Sequence, residues 1–371
     1  MAIRIVPYEP ALVPAAREFN ARLRAHPSPA PFFLPELAAD PPSPSASIRV
    51  SHHLALDDSG ACRGGILTQE HPAWLNGAVQ TVINIQSPLS ESIIDTQYAM
   101  VGPQLIRSVL KRNPLVFVIG MGADVSNPLP RLLSVMGWKV RHMPFMFSLL
   151  RPSVCARELA PFQRTPLRRA AATVAAASGL AALGAGILQR GVSSSGRWPE
   201  TTVPPPGSRQ IWSRFTESCR FAVVRDEITL PEWYPAHPQS SHLYHHEHDG
   251  WFSLLLSPMR GHHHFGNATV ATLVDCVAPA HLLPDAVATA IRQAKQAGAD
   301  LLVANFTFGP LLEACRAAGM LTGPSNCLLA TSKALSEGMR DEDIYVSRRD
   351  GDGLINLIAN TSERSTRLAG D

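Results

Sequence analysis

The stretch LVFVIGMGADVSNPLPRLLSVMGWKVRHMPF, residues 115–145, decides the fold. It opens on an apolar run of five residues, Leu115–Ile119, the length of a buried strand. Gly120-Met121-Gly122 follows, then the amphipathic LPRLLSVMGW, then a second apolar run. The order is strand, turn, helix, strand. As a dinucleotide-binding signature the glycine pair fails, because no third spaced glycine follows and Pro128 and Pro130 do. It fits a tight strand exit where the backbone needs left-handed freedom.

Upstream, IRIVPYEP reads as a strand. ALVPAAREFNARLRA carries Leu12, Ala15, Ala16, Phe19 and Leu23 at helical spacing. Residues 26–47 are proline-rich and break regular structure. HHLALDDSGACRGGILTQ has two apolar runs around Asp57-Asp58-Ser59-Gly60, a hairpin signal. AVQTVINIQSPL is a further strand, expected to end at Pro88. IIDTQYAMVGPQLIRSVLKR is a helix, expected to break or kink at Gly102-Pro103.

Downstream the same order returns. LYHHEHDGWFSLLLSPM is a hairpin around Asp249-Gly250, and NATVATLVDCVAPA a strand ended by Ala-Pro. LLPDAVATAIRQAKQAG is a helix. DLLVANFTFGPLLEACRAAGMLTGPSNCLLATS repeats strand, loop, helix, Gly-apolar, strand. Ser87-Pro88 falls opposite Ala278-Pro279, LLSVMGW opposite ACRAAGM, Asn84 opposite Asp275 and Gly120 opposite Asn305. Five consecutive elements agree, a pattern-level repeat. Strand–helix–strand units set their strands parallel by right-handed crossovers. Each half is therefore expected to be an α/β (α+β) mixed sheet with helices on both faces, its ligand at the strands' carboxyl ends.

Three groups of residues carry a family resemblance. They are CRGGILT, TVINIQSPLSESIID and FVIGMG…LPRLLSVMGW…FMFSLL in the first half, TLVDCVAP and LLVANF…LLEACRAAGM…NCLLATS in the second, and the terminal RRDGDGLINL. Together they resemble the GNAT acyl-CoA N-acyltransferase superfamily in tandem, of an uncharacterised bacterial type. The resemblance implies two GNAT-like domains, at 1–152 and 208–335, joined by a basic helical linker at 153–207 and followed by a tail at 336–371. It implies acetyl-CoA or another acyl-CoA as donor. The pantetheine arm would enter between two splayed central strands, with the pyrophosphate at the next helix's N-terminus. The family's Gln/Arg-x-x-Gly-x-Gly/Ala loop is absent. SPLSESIID stands there in the first half and APAHLLPDA in the second. Ser87, Ser90 and Ser92, with Gly120, Met121 and Gly122, are the first half's cofactor-binding candidates, which makes that half the favoured active one.

Acyl transfer to an amine needs a base, an acid for the leaving thiolate and donors for the oxyanion. Glu91 or Asp95 is the candidate base and Tyr98 the candidate acid. Equally, Ser90 with the acids after it makes a helix cap. Asn84 is a polar side chain on a central strand, where apolar ones are the rule. Asp275 and Asn305 are the second-half candidates, and a satisfying hydrogen bond is the plain alternative for each. Seven of fourteen histidines lie between 242 and 264. Without nearby cysteines they read as solvated strand edges, so no metal is expected. RRDGDGLINL lacks the acid pattern of a calcium loop and reads as a charged turn.

The 371 residues are 45% hydrophobic and 17% charged, as in a folded protein of about two domains. The net charge of +3 gives no ground for a DNA partner. Six cysteines without a CxxC pair, behind an N-terminus with no signal-peptide pattern, read as core residues in a reducing cytoplasm. Charge is concentrated at 151–220, where ten arginines face three glutamates, a net +7 that leaves −4 elsewhere. Within it, 170–188 is uncharged and Ala/Gly-rich. Packing between domains, peripheral membrane contact through 166–190 and a span are its alternatives. The leading expectation is N-acylation of a small amine, such as an amino sugar or polar-lipid precursor. A non-catalytic GNAT-like binding module and an aminoacyl-tRNA-dependent transferase are the alternatives.

Overall fold

The computed structural model describes residues 2–27, 32–36, 46–163, 198–201, 205, 207–234, 242–246 and 249–351. The strands are β1 (Arg4–Pro7), β2 (Arg49–Leu56), β3 (Cys62–Leu75), β4 (Ala78–Ser90), β5 (Val116–Ile119), β6 (Lys139–His142), β7 (Phe145–Leu149) and β8 (Glu200–Thr201). They continue as β9 (Phe221–Val223), β10 (His242–His246), β11 (Gly250–Pro258), β12 (Thr269–Val277), β13 (Leu301–Asn305), β14 (Leu321–Gly323), β15 (Leu328–Thr331) and β16 (Ile344–Tyr345). The first helices are α1 (Val13–Ala25), α2 (Val101–Arg112) and α3 (Pro128–Val135). The chain is mixed α/β, with two mixed sheets.

The chain divides into two compact units. One holds Met1–Ala73, Val79–Arg141 and Leu328–Gly338; the other holds Trp74–Ala78, His142–Cys327 and Met339–Asp371. The first unit's sheet runs β1-β2-β3-β4-β5-β15-β6. Along that run β4 and β5 pair in parallel, and β9 and β16, off the run, form a second parallel pair. The apolar run Val116–Ile119 is buried at every position, as a strand covered on both faces requires. On one side α1 packs Ala16, Phe19 and Leu23 against Leu54, Leu56 and Leu89. In a separate cluster α2 and α3 pack Leu105, Ile106, Val109 and Leu133 against Ile83, Ile85, Val116 and Val118.

The second unit's sheet runs β14-β7-β13-β12-β11-β10-β8, with β12 and β13 parallel. The helix Leu283–Gln296 lies against β11, β12 and the helix Gly309–Ala317. The two sheets each take a strand that the sequence pattern assigned to the other half. β15, wholly buried, lies between β5 and β6, and β7 lies between β13 and β14. A single cut near 152 therefore does not separate the units. The first half's last strand lies beyond the unit boundary at Arg141.

Local expectations fare unevenly. The Asp57–Gly60 turn forms: Asp57 N–H donates to Ala61 O at 3.0 Å and Gly60 is left-handed at φ 84°. Pro88 does not end its strand. β4 continues to Ser90, because Ser87 takes a left-handed φ of 41° and the strand bends there, where proline is tolerated. The expected helix from Ile93 to Arg112 begins only at Val101, after two 3₁₀ turns, Glu91–Ile93 and Thr96–Tyr98. Pro103 then sits in the first helical turn, where a missing N–H costs nothing. All six cysteines are free and buried. Most of the linker, including 166–190, lies outside the described residues, as do Glu247, His248 and residues 352–371. Among the described residues no helix is long and apolar enough to cross a membrane.

Candidate functional site

The first unit's centre is a fork. β4 and β5 pair at Ile83↔Val116 and Asn84↔Phe117, and the ladder stops there. β5 runs on to Ile119 and the turn at Gly120 and Gly122, both left-handed at φ 96° and 75°. β4 runs on through the bent Ser87. Residues before proline favour extended backbone, so a left-handed Ser87 carries strain of about 1–3 kcal/mol. Asn84 is fully buried at the last paired position, and Ser87 is exposed just past it. Strands that part leave backbone N–H and C=O groups needing other partners.

Beside Ser87 lies a cavity of about 90 Å³, with Phe33, Leu54 and Leu67 among its apolar walls and His52 and His53 in its lining. Burial pushes the His53 imidazolium down to about 4, with Arg112 and His52 adding repulsion. Burial lowers His52 as well. His53 is therefore neutral at pH 7, and His52 is shifted in the same direction. The Tyr8 ring lies 6.2 Å from His52, and its hydroxyl donates to Pro35 O at 2.7 Å.

The turn after β4 is held from within. Glu91 is 3% exposed, and both its oxygens are taken. Arg22 Nε lies 2.7 Å from Oε1, and Arg63 Nη1 lies 3.0 Å from Oε2. Arg63 also reaches Asp57 at 2.7 Å and lies 4.5 Å above the buried Tyr98 ring. Glu91 and Tyr98 thus meet through Arg63, a residue that sequence reading passed over. Its signal was present, as the only charge in CRGGILT. Asp95 stands apart: its carboxylate caps the second 3₁₀ turn, accepting from Gln97 N–H at 3.0 Å. Ser90 caps the first, accepting from Ser92 N–H at 3.2 Å. The N–H groups of Ile94, Asp95, Tyr98 and Ala99 are likewise bonded within the turn. Of the three candidate serines, Ser92 thus spends its N–H on the Ser90 hydroxyl. Met121 packs against the α2 and α3 core, with Gly120 and Gly122 exposed on either side of it.

In the second unit Asp275 is wholly buried. It accepts from Arg225 Nε at 3.0 Å, Tyr234 OH at 2.7 Å and Tyr345 OH at 2.8 Å. Arg225 also pairs with the buried Asp350. Burial works against the guanidinium charge, but Asp275 and Asp350 outweigh it and hold Arg225 protonated above its ordinary value. The charged turn read in RRDGDG therefore has its first aspartate inside the unit, and Arg349 lies over the Trp233 and Tyr234 rings. Asp275 and Asn84 do not occupy matching ladder positions. Asn84 sits in the last parallel pair, whereas Asp275 lies two residues beyond the last one, Leu273↔Ala304. Asn305 donates to Pro144 O at 3.2 Å and accepts from Arg348 at 3.0 Å.

Neither a family model nor a curated protein matches the chain. Solved structures do. Saccharomyces cerevisiae N-myristoyltransferase with bound myristoyl-CoA is similar at 10% identity and TM-score 0.48, over 89% of this chain and 78% of that one. A conserved Enterococcus faecalis protein of unknown function, described as a probable N-acyltransferase, is similar at 10% identity and TM-score 0.49, over 91% and 74%. A Pyrococcus horikoshii protein described as an acetyltransferase candidate is similar at 11% identity and TM-score 0.44, over 94% of each chain.

Proposed function

We propose that the chain transfers an acyl group from acyl-CoA to a small amine, and that its first unit is the working half. The observation that carries this reading is the fork of β4 and β5 beyond Asn84 and Phe117, bent open at Ser87. Two freed strand edges at the carboxyl end of a parallel pair suit an extended ligand with its own amides, as a pantetheine arm is. The adjoining cavity, with Tyr8, His52, His53 and Ser87 among its apolar lining, suits a small acceptor. There the amine nitrogen attacks the thioester carbonyl, the C–N bond forms and the C–S bond breaks, and coenzyme A leaves as the thiol. His52, in the cavity lining, takes the amine proton in this proposal and passes it to the departing thiolate. Glu91 acts as a positioning residue that fixes the turn after β4. An amino sugar or polar-lipid precursor remains the proposed acceptor class.

A second reading, a non-catalytic binding module, is favoured by one observation: the turn after β4 uses its amides on itself. Calorimetric titration with acetyl-CoA, coenzyme A and a long-chain acyl-CoA separates the two. Saturable binding with a preference among chain lengths is expected. Binding of none of the three overturns the acyl-CoA reading.

A further inference from the structure

The second unit has a fork of its own. β12 and β13 pair in parallel from Val270↔Leu301 to Leu273↔Ala304. β12 then bulges: Leu254 pairs with Leu273 and Ser253 with Asp275, so Val274 is passed over. Beyond the bulge Asp275–Val277 follows β11 and leaves β13. The chain's own segment Ile344–Asp350 lies in the opening. On the β13 side, Phe306 bridges Ser347 in antiparallel fashion. Thr307 N–H donates to Val346 O at 3.2 Å, and Val346 N–H donates to Thr307 Oγ1 at 3.0 Å. On the β12 side, the N–H of Cys276 turns out of the β11 ladder and donates to Tyr345 OH at 2.9 Å.

One segment therefore meets Phe306 and Thr307 through its backbone and Cys276 through a side chain, while its strand Ile344–Tyr345 pairs in parallel with β9 and its end Arg348–Asp350 forms a 3₁₀ turn. Tyr345, Val346 and Ser347 have no exposed surface. The Tyr345 ring lies 5.0 Å from that of Phe215 and 6.0 Å from that of Phe306. A latch closes the end: Ser347 N–H and Arg225 hold the Asp350 carboxylate, and Arg348 reaches Asn305.

We infer that Ile344–Asp350 is a built-in occupant of the second fork, bonding Phe306 and Thr307 through its backbone and Cys276 through the Tyr345 hydroxyl in place of a bound ligand. Resting on the reading of the first unit as the working half, this leaves the chain with one acyl-CoA site, where two similar halves would offer two. Every polar group of the fork named above has a partner within the chain, so an incoming pantetheine would have to break these bonds before making its own.

Hydrogen exchange of the full-length protein, with and without coenzyme A, tests this alongside the calorimetric stoichiometry. Amides of 275–277, 305–307 and 344–350 are expected to exchange as slowly as those of β12 and β13. They should not change when coenzyme A is added, and one coenzyme A should bind per chain. Exchange of 344–350 at loop rates, its loosening by coenzyme A, or two molecules bound per chain overturns the inference. Slow exchange in a protein that binds no coenzyme A removes the acyl-CoA reading and leaves the self-occupied fork standing.

Discussion

Asp57 illustrates how one side chain fixes a loop. Its carboxylate accepts from Ser59 N–H at 2.9 Å, Ala61 N–H at 3.1 Å and Arg63 Nε at 2.7 Å. Burial opposes the charge, but the bonds from Ser59 and Arg63 win and lower its pKa to about 2. A carboxyl whose folded value lies below its unfolded one stabilises the fold above the unfolded value and loses that effect as pH falls. Asp57→Asn should therefore cost on the order of 1–2 kcal/mol at pH 7. The difference from wild type should narrow by roughly half at pH 3. Urea unfolding at both pH values measures it, and a gap that widens at low pH contradicts the assignment. Arg63, held by Asp57, in turn holds Glu91, so the hairpin turn and the turn after β4 are coupled through one guanidinium.

At the scale of elements, β4 is the organising strand, and its neighbour must yield to it. A Cβ at Gly64 of β3 would come within 2.5 Å of Leu89 O and 3.2 Å of Ser90 Cα. Both are backbone atoms and have nowhere to move. Gly64→Ala should cost about 1–3 kcal/mol and push β3 from the bent end of β4. A thermal midpoint several degrees lower is expected; an unchanged midpoint would show that β4 does not pass there. The elements also show where sequence reading reached its limit. The helical stripe of α1 and the apolar runs of β5 and β13 were legible because burial leaves a period in the sequence. The continuation of β4 past Pro88 was not, since it depends on one left-handed residue that no composition rule marks.

For the whole molecule, the strand exchange matters most. Residues 1–163 lack β15, the strand between β5 and β6, and residues 198–371 lack β7, the strand between β13 and β14. A sheet missing an interior strand exposes two unpaired edges and an apolar face. Each piece expressed alone is expected to aggregate or stay unfolded, whereas the two co-expressed should purify as a one-to-one complex. A first piece that folds and stays monomeric alone would rule out the exchange.

The sequence by itself determined the mixed α/β class, the turn at Asp57–Gly60, the helical stripe of α1 and the apolar strands β5 and β13. These follow from local chemistry: periodicity of apolar residues, turn residues and breakers, all within a few positions of each other. Tertiary structure alone decided which strands share a sheet, that Glu91 is clamped by Arg22 and Arg63, and that Ile344–Asp350 enters the second fork. Those contacts join residues 69, 28 and 39 positions apart, as Arg22 to Glu91, Arg63 to Glu91 and Thr307 to Val346 show. Ion pairing and edge pairing are indifferent to sequence distance. Any arginine can serve any glutamate, and any extended segment can serve any strand edge, until the packed chain selects one.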